Sequence, residues 1–524
     1  MNSFLRNGRL RKRVCSETGF AAGERARQGF LCRVRESSDR LTEWIVWGMV
    51  ISSPWAFGTT EEWSMGVMNV AGYALGVLWL CKVIARQFGG AKSEDWGESE
   101  GISRRAIQGL AGATVLILGY CLLSALNARC VYLGDYQYQY YPCVEWLPHS
   151  YDGRLTWQAF RNYLALALSF WAIRDWLMAG ERRERGQLAV GRAPALTSSP
   201  LMPRRLKRLL WVLSINGAVL ATEGLVQRAV GTGKLLWLVE PHINKAAEAQ
   251  FGPYAYRSNA AQYFLLVWPV VLGFWSALSG KSGGERPMSM RHHLLPCILI
   301  MAIIPLMSLS RAGAIIGVLA IIGAIAVILW SDRAEGNGPI LGITVLLGVA
   351  MLLGGYLEWD NLTKRFEENT LDTSRLEIWR NTWQAFKQHP VFGTGPGSFS
   401  SVYGFYWSGK DEGTAQAHND WLETLMTFGT VGSALVIGAL LLLAAHQLAG
   451  GNLGLGKVFP KFIYIGLGSC LLYAVVDFPL TIYSILFVFI LECAVLTSCP
   501  GAAGGGSISA KKTTGVTCRS AGCD

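Results

Sequence analysis

Charge is scarce in this chain of 524 residues: Asp, Glu, Lys and Arg make up 16% of it, against roughly 25% in an ordinary soluble domain. Apolar side chains make up 51%. A water-soluble globule of this size could not cover its surface with so few charges, so the chain reads as a membrane protein. Other signals are missing too. Residues 1–40 contain no apolar stretch of the kind that forms a secretory leader. No Cys-x-x-Cys pair and no His-Glu-x-x-His occurs, so a structural or catalytic zinc site has no support and no metal or cofactor is expected. No internal repeat is visible. Disordered, collagen-like and small disulfide-rich classes are excluded by the same composition.

What the chain does have is apolar runs. Twelve candidate helices lie near 42–58, 64–84, 106–126, 156–178, 208–229, 259–279, 294–310, 312–330, 339–357, 427–447, 462–477 and 479–498, each close to the roughly 20 residues that cross a bilayer. The fold class is therefore an all-α polytopic membrane protein with about 12 transmembrane helices. Net charge is +11, from 47 Lys+Arg and 36 Asp+Glu, and most of the basic residues fall on the side of the N-terminus when connections alternate. By the positive-inside rule both termini are cytoplasmic. The basic tail 1–40, with Arg11, Lys12 and Arg13, then lies at an anionic leaflet rather than on nucleic acid. Helices one to nine occupy 41–357, a large outer loop 358–426, and helices ten to twelve 427–498. Segments 181–205 and 499–524, rich in Arg, Gly, Pro, Ser and Lys, read as flexible linker and tail.

Three long connections face outward, 127–155, 230–258 and 358–426, and long loops in compact proteins are where function concentrates. The last is rich in aromatics, which predicts a folded cap at the bilayer interface. Within it, Leu376, Trp379, Trp383 and Phe386 recur at helical spacing, with Arg380, Gln384 and Lys387 on other faces, so this helix should lie flat on the membrane. Pro390 stops it, and Gly393-Thr-Gly-Pro-Gly397 follows. Such a loop either presents amides to an anion or uses glycine only to turn. Gly429 and Gly432, one turn apart, read as a helix-packing pair. Cys130 and Cys143 share an outer loop, where a disulfide and two free thiols are equally compatible with an oxidising compartment.

His418 sits at the mouth of the tenth helix. An imidazole titrates near neutral pH and suits a base acting on a hydroxyl, although a hydrogen-bonding role is the plainer alternative. Arg311, between two apolar runs, would cost about 2.5–3.5 kcal/mol at full bilayer depth, so it must snorkel, pair or bind an anion. Arg257 and Asn259 precede the sixth helix. Arg257, Arg311, Arg375 and His418 thus form a cationic outer-face set suited to a lipid-linked pyrophosphate, since guanidinium forks grip phosphate oxygens. The alternative for each arginine is a helix end anchored to headgroups. Asp420 and Glu423 either orient His418, bind a sugar hydroxyl, or are solvated loop charges. Tyr136, Tyr138, Tyr140 and Tyr141 either line a glycan groove or form an interfacial belt.

The set Ser310-Arg-Ala-Gly, Arg375-Leu-Glu-Ile-Trp379, His389-Pro-Val-Phe-Gly-Thr-Gly395, and His418-Asn419 followed by Gly429-x-x-Gly432 resembles the O-antigen ligase and O-antigen polymerase superfamily of bacterial envelope glycosyltransferases. The resemblance covers roughly Tyr254 to Leu480. It implies an inverting, metal-independent, GT-C-like enzyme of polysaccharide biosynthesis in the bacterial inner membrane. The implied donor is an undecaprenyl-pyrophosphate-linked glycan. The implied acceptor is the lipid A core of lipopolysaccharide in a ligase, or another lipid-linked glycan in a polymerase. On matching positions, His418 would be the base or acceptor ligand and Arg311 and Arg375 the pyrophosphate ligands, with Arg257 a looser match. Arg257, Asn259, Asn419 and Arg380 are the candidate substrate-binding residues beside them. A lipid-linked oligosaccharide transporter is the competing class. It would call for polar groups at the bilayer midplane, where Glu223 is the main candidate.

Overall fold

The computed structural model describes residues 2–88, 102–134, 137–189, 202–242, 244–279, 292–335, 340–367, 371–407, 414–449 and 458–498. The molecule is overwhelmingly helical. Its main elements are α1 (Asn2–Trp55), α2 (Glu62–Phe88), α3 (Ile102–Leu126), α4 (Gly153–Ala189), α5 (Arg204–Val230), α6 (Arg257–Ser279), α7 (Leu294–Met307), α8 (Arg311–Glu335) and α9 (Ile340–Glu367), then α10 (Leu371–Gln388), the short α11 (Phe399–Val402), α12 (Asp420–Ala449), α13 (Phe459–Tyr473) and α14 (Tyr483–Ser498). Each of the twelve apolar runs falls on a helix. Six helices are long and apolar enough to cross a membrane, namely α2, α3, α5, α6, α8 and α12, and four shorter apolar helices accompany them. The segment 42–55 lies within α1 and 156–178 within α4, both helices longer than a bilayer requires.

Which faces are buried explains the assembly. Central α6 is enclosed almost completely, with Phe264, Trp268 and Phe274 inaccessible. Peripheral helices point large apolar side chains outward instead, among them Val70, Val115, Ile322, Leu352 and Leu441. So broad an exposed apolar surface needs lipid around it, and the chain is a multi-pass membrane protein. Lipid weakens the hydrophobic drive between helices, so close approach at small residues does more of the packing. A Cβ on Gly72 of α2 would meet the Ala165 carbonyl of α4 at 2.6 Å, and one on Gly466 of α13 would meet the Leu266 carbonyl of α6 at 2.9 Å.

Several expectations change. The basic N-terminal stretch is the first part of α1, and the expected linker 181–205 is helical as far as Ala189. Residues 190–201 and the C-terminal tail from 499 lie outside the described residues. The tyrosine-rich loop forms a small hairpin, β1 (Cys130–Gly134) antiparallel to β2 (Gln137–Tyr140), with Tyr132 opposite Tyr138. Their rings are 5.0 Å apart, a cross-strand aromatic pair that favours the sheet. Tyr138 donates to the Ser401 carbonyl and pins the hairpin to α11, whereas Tyr140 and Tyr141 are exposed. Tyr136 lies outside the described residues. Cys130 and Cys143 are free thiols here. The carboxylate oxygens of Glu223 are buried and have no hydrogen-bond partner among the described residues.

The loop after α10 supplies the main irregularity. Pro390 ends the helix, and the chain then enters a break in α12 at Gly429, whose φ of 61° and ψ of −170° are essentially open only to glycine. The break frees backbone groups, and the loop satisfies them. Thr394 N–H donates to the Met426 carbonyl at 3.0 Å and Gly395 N–H to Thr427 at 2.9 Å, while Thr430 N–H donates to Pro390 at 2.8 Å. A Cβ on Gly393 would sit 2.5 Å from the Gly429 nitrogen, so backbone meets backbone with no side chain between. The glycine run therefore turns and packs. The N–H groups of Gly393, Thr394 and Gly395 are used internally, which speaks against these amides cradling an anion. Gly432 alone fits the helix-packing reading, since its Cβ would meet the Tyr120 ring of α3 at 3.1 Å.

Candidate functional site

His418 is held from several directions. Asn419 caps α12, its side-chain oxygen accepting from Leu422 N–H at 3.0 Å. One residue before His418, Ala417 is gripped on both sides: its N–H donates to Glu423 Oε2 at 2.9 Å and its carbonyl accepts from the Trp379 indole at 3.0 Å. Asp420 is only 4% exposed. Its carboxylate accepts from Leu480 N–H at 2.7 Å and Thr481 Oγ1 at 2.9 Å, and its own N–H donates to the Ala474 carbonyl at 2.8 Å. Neither acid is a solvated loop charge. Asp420 ties the start of α12 to the turn between α13 and α14, and Glu423 fixes the segment that carries His418.

That turn brings in a residue the sequence reading missed. Asp477, 2% exposed, places Oδ1 3.0 Å from His418 Nδ1. A carboxylate only accepts, so Nδ1 carries a proton, and in the neutral ring Nε2 is left with its lone pair. Phe478 lies edge-on to the imidazole at 5.0 Å, and Tyr256 stacks on Phe478 at 5.5 Å and meets His418 at 6.4 Å. The backbone of His418 has a φ of 49°, uncommon for a non-glycine residue and of the kind that recurs at functional sites.

Arg375 reaches the same turn. Its Nη1 donates to the Val476 carbonyl at 2.8 Å, and Nη2 lies 3.5 Å from the Tyr256 hydroxyl. Neighbouring residues 476 and 477 thus hold Arg375 and His418 respectively. Burial pushes the Tyr256 phenol up to about 12, with Asp477 adding to the shift and Arg375 and Arg257 opposing it, so at neutral pH it is an uncharged donor.

Arg311 opens α8 behind an N-cap serine. Gly313 N–H reaches Ser310 Oγ at 3.2 Å, and that oxygen also lies 2.6 Å from the Tyr473 hydroxyl and 3.1 Å from Ser258 Oγ. The Tyr473 carbonyl in turn accepts from the N–H groups of Val476 and Asp477, each at 3.0 Å. A continuous set of contacts therefore runs from the start of α8 to the turn that holds Arg375 and His418. Arg257, at the start of α6, donates to the Glu248 carbonyl at 2.9 Å. Asn259 is buried, and its side-chain oxygen has no hydrogen-bond partner among the described residues. Arg380 is exposed. Five residues from Arg375, it leaves α10 about 140° around the helix and does not share that side.

The face of α10 also differs from its spacing. Ile378, Ala385 and Phe386 are buried against Phe399, Tyr403, Ala417 and Met426, while Leu376 and Trp383 are exposed. Asp477 did leave a trace in the sequence, as a lone acid closing an apolar run, where an unpaired carboxylate would be costly. Among the described residues no group of His, Cys, Asp and Glu is arranged to hold a metal ion.

Fold and site together define a multi-helix membrane protein with a histidine–carboxylate pair and an arginine gathered on one turn at one end of the bundle. Residues 296–437 match the family model described as O-Antigen ligase, a match to less than half of the chain that supports its resemblance to the O-antigen ligase superfamily. The matched segment contains Arg311, Arg375 and His418. No curated protein matches the chain.

Proposed function

We propose that this protein transfers a glycan from an undecaprenyl-pyrophosphate-linked donor to a sugar hydroxyl at the periplasmic face of the bacterial inner membrane. In this reading it is an inverting, metal-independent, GT-C-like transferase, with 358–426 forming the large periplasmic loop and both termini cytoplasmic. The observation that carries it is the shared turn: Val476 holds Arg375 and Asp477 holds His418. His418 Nε2 takes the proton of the acceptor hydroxyl as its oxygen attacks the sugar's anomeric carbon from the side opposite the leaving group. Asp477 orients the ring and stabilises the imidazolium that forms. Arg375 and Arg311 meet the charge that grows on the departing pyrophosphate, and Arg257, Asn259 and Asn419 contact substrate around them. Ligase and polymerase share this chemistry and differ in the acceptor, lipid A core or a second lipid-linked glycan.

Replacing His418 with Ala should abolish glycan transfer in membranes while leaving the amount of protein unchanged. Full retained transfer overturns the assignment. The transporter reading is tested with the purified protein in liposomes, because movement of donor across the bilayer with no new glycosidic bond would replace the transferase reading.

A further inference from the structure

The end of the bundle that carries His418 holds a second group of polar side chains that the transfer chemistry leaves unused. Arg129, His149, Tyr151 and His389 come from two segments joined through their backbones: Tyr151 N–H donates to the Thr394 carbonyl at 2.8 Å and Arg129 N–H to the Ser150 carbonyl at 2.7 Å. Tyr151 is the hub. The His389 ring centre lies 4.7 Å from that of Tyr151, with Nδ1 3.3 Å from its hydroxyl. The His149 ring is 5.7 Å away on another side, and the Arg129 guanidinium is 5.8 Å from the Tyr151 ring centre. All four side chains are half-buried. Phe392 extends the aromatic surface, edge-on to His149 at 6.5 Å.

The charge around this group is one-sided. Glu145 and the Cys143 thiol act on Arg129, and Tyr406, whose hydroxyl donates to Gln388, acts on Tyr151. Among the described residues Glu145 is the carboxylate that acts on Arg129, while Asp152, next to Tyr151, is turned to the backbone N–H groups of Arg154 and Leu155. His149 Nδ1 is 3.0 Å from the Leu147 carbonyl, which can only accept, so Nδ1 carries the proton and Nε2 of the neutral ring is an acceptor, suited to a sugar hydroxyl. A guanidinium and the N–H of His389 suit a carboxylate or phosphate, and an aromatic ring gives a sugar an apolar face to rest on. Flexible arginines and lysines are enough to meet a lipid headgroup. Rings fixed by hydrogen bonds and mutual packing fit a ligand of defined shape better. The group is also far from the first site. Arg375 and His389 are separated by the length of α10, and their fourteen positions span about 21 Å, beyond the reach of one pyrophosphate but within that of a short oligosaccharide.

We propose that Arg129, His149, Tyr151 and His389 form a carbohydrate subsite that takes an acidic sugar, bearing a carboxylate or phosphate, of the glycan handled at His418. This proposal rests on the glycan-transfer reading above. The test is binding of tetragalacturonate to the purified full chain in phosphatidylcholine nanodiscs, followed by calorimetry, with maltotetraose as the neutral control. The acidic oligosaccharide should bind and the neutral one should not. Arg129→Gln and His389→Gln should each weaken binding by about tenfold or more. Arg129→Lys, which keeps the charge, and Tyr151→Phe, which keeps the ring, should each stay within about threefold and hold the test open if a harsher variant fails to fold. Wild-type affinity in Arg129→Gln, or equal binding of maltotetraose, overturns the subsite. Loss of binding when the nanodiscs are phosphatidylglycerol shows that lipid headgroups fill the cluster, and overturns it too. His418→Ala should bind tetragalacturonate as the wild type does. Failure of the subsite is therefore read from binding, and failure of the transfer reading from the activity of His418→Ala.

Discussion

His418 Nδ1 and Asp477 Oδ1 lie 3.0 Å apart although their residues are 59 positions apart in the chain. The contact fixes the imidazole tautomer, because a buried carboxylate can only accept. Asp477→Asn can present either an oxygen or an NH2 group to Nδ1, and so loses that control. Its transfer rate should fall by about 10²–10⁴-fold, the range general-base catalysis contributes, with little change in KM or in protein level. In a His418→Ala background the same substitution should cost nothing more, since the pair acts as a unit. Single and double variants assayed on one membrane preparation check both outcomes.

The break in α12 makes a second expectation specific to one glycine. A Cβ on Gly429 would meet the Val391 carbonyl at 2.4 Å in a backbone conformation closed to other residues, whereas one on Gly438 of the same helix meets nothing within 4 Å. Gly429→Ala should destabilise by at least about 1–3 kcal/mol from backbone strain alone and displace the loop that follows His389. Gly438→Ala should be neutral or stabilising by about 0.5–1 kcal/mol. Thermal unfolding of the two purified variants, side by side, decides it.

At the far end of α2, about 30 Å along the helix from Glu62, Lys82 is buried between two acids. Its Nζ lies 3.2 Å from Asp39 and 3.0 Å from Asp175. Arg205 bonds Asp39 at 2.8 Å and Arg86 bonds Asp175 at 2.6 Å, so the network joins α1, α2, α4 and α5. Removing one partner leaves buried charge uncompensated, and Lys82→Met should cost about 3 kcal/mol. A lower unfolding temperature in detergent that high salt does not reproduce in the wild type would support this. An unchanged temperature would show that the two arginines suffice.

Burial, with His149 and Arg129 nearby, holds His389 below the usual imidazole value. The unfolded chain therefore takes up this proton at a higher pH than the folded one does. Stability contributed by neutral His389 is present above about pH 6.5 and is lost as pH falls through the folded value. Unfolding temperatures should drop between pH 7.5 and 5.5, and His389→Gln should flatten that drop. A slope identical to wild type would remove His389 from the balance.

Much of this molecule follows from local order. Apolar runs and their spacing put a helix at each of the twelve segments, because a helix in lipid satisfies its own backbone and needs only a length of apolar sequence to declare itself. Pro390 and the glycines after it announced a stop and a turn. Arg311, Arg375 and His418 stood out as polar groups beside apolar runs.

What the sequence could not decide was which distant groups complete each other. Asp477 closes an apolar run, and only the turn between α13 and α14 makes it the partner of His418. Tyr256 gave no signal, since a tyrosine before a helix is ordinary until its ring stacks on Phe478 beside the imidazole. Asp420 and Glu423 read as solvated charges because their partners, Leu480, Thr481 and Ala417, are backbone and hydroxyl groups that no charge pattern reveals. The glycine run was open to an anion cradle or a plain turn, and the break at Gly429 supplied carbonyls for the amides of Thr394 and Gly395. Periodicity and composition are short-range properties that fix helices one at a time. The pairing of buried polar groups depends on crossings between elements far apart in the chain, and there the packed bundle alone decides.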